Sequence, residues 1–145
     1  EKALEGLGIQ MNPYDDSNCE PNFWLSCILL DENYMCEMLR SDTEYQYRTV
    51  HGRTCPMEIY DALSAYHIES RPIWKPMHLQ PIYRNHGFVT VEGERRCNHN
   101  FYRKNIAPAD TGADIFHRGL CLPSDVKMTE EKQDVLIEII RRCLE

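Results

Sequence analysis

The sequence predicts an α+β fold in which a small, mostly antiparallel sheet of three to four strands carries helices mainly on one face. Residues 23–30 (FWLSCILL) form the clearest strand, because aromatic and branched side chains fill both alternating faces and require cover on both sides. Residues 56–67 and 129–143 instead repeat apolar side chains at helical spacing. Helical or loop segments separate each strand from the next, so the strand order stays open.

The segment before the first strand is predicted to be irregular. Residues 1–6 have the pattern of the last turns of a helix, which Gly6 and Gly8 close. Because that helix would begin upstream and the chain lacks an initiator methionine, we expect the protein to continue before residue 1. Residues 10–22 are rich in turn-forming residues and are predicted to be a loop.

Two segments with weaker signals follow the first strand. Residues 33–40 are predicted to form a short helix. Its apolar side consists of Tyr34, Met35, Met38 and Leu39. Residues 41–54 are polar, show little periodicity and are predicted to be mostly loop.

The helix over residues 56–67 has clear start signals. Pro56 suits the first helical position, and Glu58 lies in the first turn, where a carboxylate is favoured. Ile59, Leu63 and either Tyr66 or Ala62 repeat at helical spacing and define one buried stripe.

A short strand over residues 68–74 is predicted next. Its Arg71-Pro72 pair makes this an edge or an irregular strand, because proline donates no ladder hydrogen bond. Residues 75–112 are predicted to be a long loop with a hairpin around residues 88–91.

The C-terminal part is predicted to contain three elements. Residues 113–118 form one or two helical turns that Gly119 stops, and residues 120–122 form a short buried strand. Thr129 is a good N-cap for the final helix, whose first turn is acidic and whose last turn is basic. The apolar face of this helix consists of Val135, Leu136, Ile139, Ile140 and Cys143.

Composition excludes several classes of function. The 145 residues include 16 basic and 23 acidic side chains, and the net charge of -7 argues against nucleic-acid binding. No apolar stretch is long enough to span a membrane, and no signal peptide is evident. Seven scattered cysteines without a CxxC pair make a poor disulfide framework, so we expect free thiols in a cytoplasmic protein.

Residues 69–81 (ESRPIWKPMHLQP) contain the densest set of side chains suited to ligand binding. Three prolines stiffen this segment, which lowers the entropy cost of presenting Arg71, Trp74, Lys75 and His78. A guanidinium binds phosphate and an indole covers a flat ring, so the set suits a nucleotide-bearing ligand. The alternative is a proline-rich connection in which the tryptophan is core and the cations are solvated.

No metal site or catalytic residue is predicted. Cys97-Asn98-His99 has too short a spacing for a zinc half-site, and no second pair follows. His67 and His117 lie at helix ends, where a histidine interacts with carbonyls or the helix dipole. No local signature supports a Cys–His nucleophile pair.

Three segments together carry a resemblance to a known family. They are ESRPIWKPMHLQPIY at residues 69–83, FWLSCIL at residues 23–29 and FHRGLCLPS at residues 116–124, with a final helix after the last. In their order along the chain they resemble the DegT/DnrJ/EryC1/StrS family of sugar aminotransferases, and the resemblance covers almost the whole chain.

The resemblance implies a fold-type-I enzyme that depends on pyridoxal phosphate and is usually a homodimer. Such enzymes move an amino group, typically from glutamate, onto a keto sugar carried by a nucleotide, for glycan or polysaccharide synthesis. Residues 1–145 would be the C-terminal small domain, with Arg71, Trp74, Lys75 and His78 on the sugar-nucleotide side of the active site.

The resemblance also implies that the cofactor-holding lysine belongs to a large N-terminal domain outside this sequence. None of five lysines lies in a matching context: Lys2, Lys75, Lys104, Lys127 and Lys132. We therefore expect residues 1–145 alone to bind no cofactor and to have no activity. The family assigns no role to residues 36–54 and 85–112.

Two other functions fit the same residues. The chain could be a non-catalytic module that binds sugar nucleotides, or an interaction domain that uses the loop over residues 75–112 as its partner surface. The gene sequence upstream separates these readings, because a transferase requires the large domain there.

Overall fold

A computed structural model describes residues 2–83, 86–89, 95–96 and 110–145. Within these residues the strands are β1 (Ile9–Met11), β2 (Ser26–Leu30), β3 (Met38–Arg40), β4 (Tyr45–Tyr47), β5 (Arg71–Pro72), β6 (Phe88–Val89), β7 (Arg95–Arg96) and β8 (Gly119–Leu122). The α-helices are α1 (Pro56–Ala65), α2 (Thr111–Arg118) and α3 (Glu130–Arg142). Single 3-10 turns occupy Lys2–Leu4, Glu32–Tyr34, Met77–Leu79 and Pro81–Tyr83.

The main sheet is antiparallel and has the strand order β1-β2-β8-β5. Its central strand β8 is buried along its whole length, as expected for a strand with a neighbour on each side. Strand β5 lies at the sheet edge, and Pro72 therefore removes no ladder bond from the interior. The predicted edge position of this segment is confirmed.

Helices α1 and α3 pack on each other and cover one face of the sheet. The core between them consists of Leu4, Ile28, Leu30, Ile59, Leu63, Leu120, Leu122, Leu136, Ile139 and Ile140. Helix α2 approaches the opposite face, where a Cβ on Gly119 would lie 2.6 Å from the Ile115 carbonyl oxygen. The predicted α+β class, with a four-stranded sheet and helices mainly on one face, is confirmed.

The predicted caps explain where the helices begin. Pro56 occupies the first position of α1, and the Thr129 hydroxyl accepts a hydrogen bond from the Lys132 N–H at the start of α3. Gly6 and Gly8 have positive φ, as expected where a helical turn closes. Val135, by contrast, is half exposed and does not belong to the buried face predicted for α3. Tyr66 is exposed as well, because α1 ends before it, so it does not belong to the buried stripe predicted for residues 56–67.

Two predictions before α1 were wrong. Residues 9–11 form strand β1 instead of belonging wholly to a loop, and residues 38–40 form strand β3 instead of a helix. In β3 the side chains alternate, so Met38 is buried while the next residue, Leu39, is exposed. The apolar spacing had suggested a helix, but three-residue strands are too short to show a period of their own.

The polar segment over residues 41–54 contains strand β4, which pairs with β3 in a hairpin. The prediction of mostly loop missed this strand. Tyr45 and Tyr47 donate hydrogen bonds of 2.5 and 3.0 Å to the two carboxylate oxygens of Asp61 on α1. This tertiary contact fixes the hairpin, and it has no counterpart in local sequence pattern.

The long connection after β5 contains short ordered pieces. Strands β6 and β7 pair as a hairpin, which agrees with the predicted hairpin at residues 88 and 89, whereas residues 90 and 91 lie outside the described residues. Residues 97–99, considered as a zinc half-site, also lie outside them. Among the helices that the structure describes, none has the length and apolar content needed to cross a membrane.

Candidate functional site

The proline-stiffened segment, residues 69–81, follows α1 and joins the sheet through β5. In the register of this edge strand, Arg71 lies opposite Cys121 and Pro72 opposite Leu120. Because Leu120 faces the core of α1 and α3, alternation directs Arg71 toward the other face of the sheet. The segment therefore presents its guanidinium on the face that α1 and α3 leave open.

An exposed aromatic surface lies on this open face. The rings of Trp24 and Trp74 lie 6.1 Å apart with an interplanar angle of 31°, and these residues are 71% and 60% exposed. Tyr14 and Phe23 form a second contact, edge to face, with centroids 5.7 Å apart. We call these four side chains the aromatic surface. Large aromatic side chains that stay in water instead of the core commonly mark a binding site.

The aromatic surface borders a groove of about 330 Å³. The sheet contributes Cys27 and Leu29 to its wall, and Ile73 and Ile115 close one side. Among the described residues, the groove wall contains no lysine, arginine or histidine and is mostly apolar. This part of the wall can therefore cover a flat, weakly polar group.

Local backbone geometry explains why Phe23 and Trp24 are exposed. The sequence placed both in the buried strand, but the strand begins only at Ser26. Phe23 has a φ of 50°, which is incompatible with an extended strand, and Asn22 accepts a hydrogen bond from the Trp24 N–H. The prediction that these two aromatic rings are covered on both faces was wrong. The turn-forming residues just before them, Pro21 and Asn22, were the available signal.

Arg71 is exposed and forms a local ion pair. Its Nη2 and Nε donate hydrogen bonds of 2.6 and 2.9 Å to one carboxylate oxygen of Glu69. These hydrogen bonds raise the pKa of the Arg71 guanidinium above its usual value. A surface pair of this kind contributes little to stability, so Arg71 is available to a stronger anion.

Lys75 and His78 are placed differently. The Lys75 ammonium pairs with Asp42, and its side chain is only 15% exposed. His78 Nε2 lies 2.8 Å from a carboxylate oxygen of Asp110, and its side chain is 18% exposed. Both side chains thus attach the proline-stiffened segment to distant parts of the chain.

Asp110 joins two structural elements. One of its oxygens contacts His78, while the other accepts a hydrogen bond of 3.0 Å from the Ala113 N–H as the N-cap of α2. Close by, Leu79 packs with Ala113 and Phe116 in a small buried cluster. The start of α2 therefore determines where the proline-stiffened segment lies.

The residues at this site do not fit a covalently held pyridoxal phosphate. Such a cofactor needs a lysine amine, and Lys75 is engaged with Asp42, while the described residues of the groove wall include no lysine. Among the described residues, no three His, Cys, Asp or Glu side chains are grouped as metal ligands.

Comparison with known proteins supports an aminotransferase relationship. A protein of Bacillus subtilis (strain 168), named "Putative pyridoxal phosphate-dependent aminotransferase EpsN", is 35% identical over 95 residues. The match covers 63% of this chain and 20% of EpsN. The chain thus corresponds to about a fifth of that relative. No protein-family model matches the sequence.

Proposed function

We propose that residues 1–145 are the C-terminal small domain of an aminotransferase of the DegT/DnrJ/EryC1/StrS family, acting on a nucleotide sugar in glycan or polysaccharide synthesis. The similarity to EpsN supports the transferase class. The three family-like segments support the narrower assignment, since they include β2, β5 and β8 of one sheet.

In this proposal the domain supplies one wall of the substrate site. The observation that carries it is the exposed Trp24–Trp74 pair on the face toward which Arg71 is directed. The indoles cover the base or sugar ring. The Arg71 guanidinium releases the Glu69 carboxylate and binds a phosphate oxygen in its place. The domain orients the substrate and contributes no proton-transfer group.

Lys75 and His78 remain candidates for the same wall. Each side chain is already engaged with a carboxylate, so a ligand would have to share or displace Asp42 or Asp110. We therefore expect their main effect on binding to come through the position of the segment.

The remaining parts of the proposal concern the whole protein. A large N-terminal domain would hold pyridoxal phosphate, which supplies the electron sink for amino transfer from a donor such as glutamate. The whole enzyme would be a cytoplasmic homodimer, and residues 1–145 alone would be inactive.

The test uses the full-length protein and two nucleotide probes, UDP and dTDP, in isothermal titration. Arg71→Ala should weaken binding of the better probe about tenfold or more, because a charge-assisted hydrogen bond is lost. Trp74→Ala should also weaken it. Arg142→Ala and Tyr66→Ala are matched controls, since Arg142 has a similar exposed ion pair with Glu138.

Unchanged affinity in both Arg71→Ala and Trp74→Ala would contradict the assignment of the site. Binding of a nucleotide without amino transfer in the full-length protein would favour the non-catalytic module. A new visible absorbance band on adding pyridoxal phosphate to residues 1–145 would contradict the expectation that this domain holds no cofactor.

A further inference from the structure

Two cysteines that are distant in sequence face each other across the main sheet. Cys27 of β2 and Cys121 of β8 are register partners 94 positions apart, and their Sγ atoms are 3.7 Å apart. Both point to the open face, the same face on which Arg71 lies opposite Cys121. The odd number of cysteines gave no indication of this pairing.

The backbone geometry of the pair suits a disulfide. The N–H and C=O of Cys27 both bond to Asn12, at 2.7 and 2.8 Å, so they point away from β8. Cys27 and Cys121 are therefore a non-hydrogen-bonded pair, in which the Cα atoms lie about 4.5 Å apart. Disulfides span Cα distances of about 4.4–6.8 Å, so rotation of the side chains brings the sulfurs into bonding range.

Access to the pair is one-sided. Cys27 is half-buried and lines the groove beside the aromatic surface, whereas Cys121 is only 4% exposed. Burial raises the pKa of the Cys121 thiol to about 12, against the opposing effect of the Arg71 guanidinium. A soluble oxidant therefore reacts with Cys27 first. Cys121 is buried next to it and stays protonated until Cys27 has reacted.

We propose that Cys27 and Cys121 are a thiol–disulfide exchange site that takes small disulfides such as glutathione disulfide through the groove. The Cys27 thiolate attacks one sulfur of glutathione disulfide, which forms a mixed disulfide and releases one glutathione. Cys121 then attacks the Cys27 sulfur, gives up its proton and releases the second glutathione. Two protein thiols are oxidised, one glutathione disulfide is reduced to two glutathiones, and both thiol protons end on glutathione.

A second thiol pair provides an internal comparison. Cys36 and Cys55 belong to one buried cluster, but they are only 5% and 0% exposed. Burial also raises the pKa of Cys55 to about 12. Proximity of two thiols is thus common to both pairs, and access through the groove is specific to Cys27.

The experiment incubates the folded chain, carrying Cys19→Ser to remove one exposed thiol, with glutathione disulfide. Peptide mapping under non-reducing conditions should find a Cys27–Cys121 disulfide, with Cys36 and Cys55 still reduced. In Cys121→Ser the reaction should end at a stable mixed disulfide between Cys27 and glutathione. In Cys27→Ser, Cys121 should remain unmodified. Cys36→Ala should react like the parent.

Three outcomes would overturn the proposal: no reaction at Cys27, a glutathione adduct on Cys27 that persists while Cys121 is present, or a Cys36–Cys55 bond at equal rate. Circular dichroism checks that each variant is folded. If Cys121→Ser does not fold, Cys121→Val is used in its place. The oxidised chain should also unfold at higher urea than the reduced chain, because the bond closes a long loop.

Discussion

The carboxylate of Asp110 connects the proline-stiffened segment to helix α2. Its removal should destabilise the start of α2 and weaken the attachment of the segment to it. In Asp110→Ala the α2 N-terminus loses the hydrogen bond to Ala113 N–H, and His78 loses the carboxylate 2.8 Å from its Nε2. Asp110→Asn is the matched control, because asparagine is an equally good N-cap and its amide can still bond to His78.

The expected magnitude follows from these two contacts. Loss of an N-cap costs about 1 kcal/mol, and loss of a partly buried hydrogen bond about another 1 kcal/mol. Asp110→Ala should therefore lower the free energy of unfolding by about 2 kcal/mol, and Asp110→Asn by less than about 1 kcal/mol. For a domain of this size, 2 kcal/mol lowers Tm by roughly 6–8 °C.

Urea unfolding followed by circular dichroism measures this difference, with equal m-values required for the comparison. Equal destabilisation by Asp110→Ala and Asp110→Asn would refute the reasoning, because the loss of stability would then come from the negative charge of Asp110 and not from its hydrogen bonds. An unchanged midpoint in Asp110→Ala would show that neither contact contributes. In the full-length protein, Asp110→Ala should also weaken nucleotide binding, since the position of Trp74 depends on the same segment.

Three further predictions concern the core and its pH dependence. Leu63→Ala should cost about 2–5 kcal/mol because Leu63 is fully buried, whereas Tyr66→Ala at the exposed C-cap of the same helix should cost under about 1 kcal/mol, both measured by urea unfolding. Gly119→Ala should cost about 1–3 kcal/mol in the same assay, since its Cβ would lie 2.6 Å from the Ile115 carbonyl oxygen; an unchanged midpoint would contradict the packing of α2. Burial lowers the pKa of His117, so the unfolded state binds the proton more readily and stability should fall as pH drops below about 6.5. His117→Gln should flatten that decline between pH 7.5 and 5, and an identical slope in both proteins would argue against the buried neutral form.

Elements with a strong local signal were predictable from the sequence. Helices α1 and α3 carry caps and an apolar repeat within their own residues, and Pro72 by itself requires an edge strand. The three-residue strands β1, β3 and β4 were not predictable, because their pairing depends on neighbours instead of period. The fold class follows from the first group, which forms most of the core.

In the candidate site, too, some features were predictable from local sequence and others depend on tertiary contacts. The sequence selected Arg71, Trp74, Lys75 and His78 from one stiff segment by their chemistry. It could not show which of them are exposed, because that depends on Asp42 and Asp110, 33 and 32 positions away from Lys75 and His78.

What the sequence determined by itself is therefore the α+β class, the main helices and the segment that carries the chemistry, since each is encoded in adjacent residues. The tertiary structure decided which side chains work together. It brought Trp24 to Trp74 and Cys27 to Cys121 across the open face. Contacts between residues 50 and 94 positions apart are set by strand register and packing, and no local pattern in the chain specifies them.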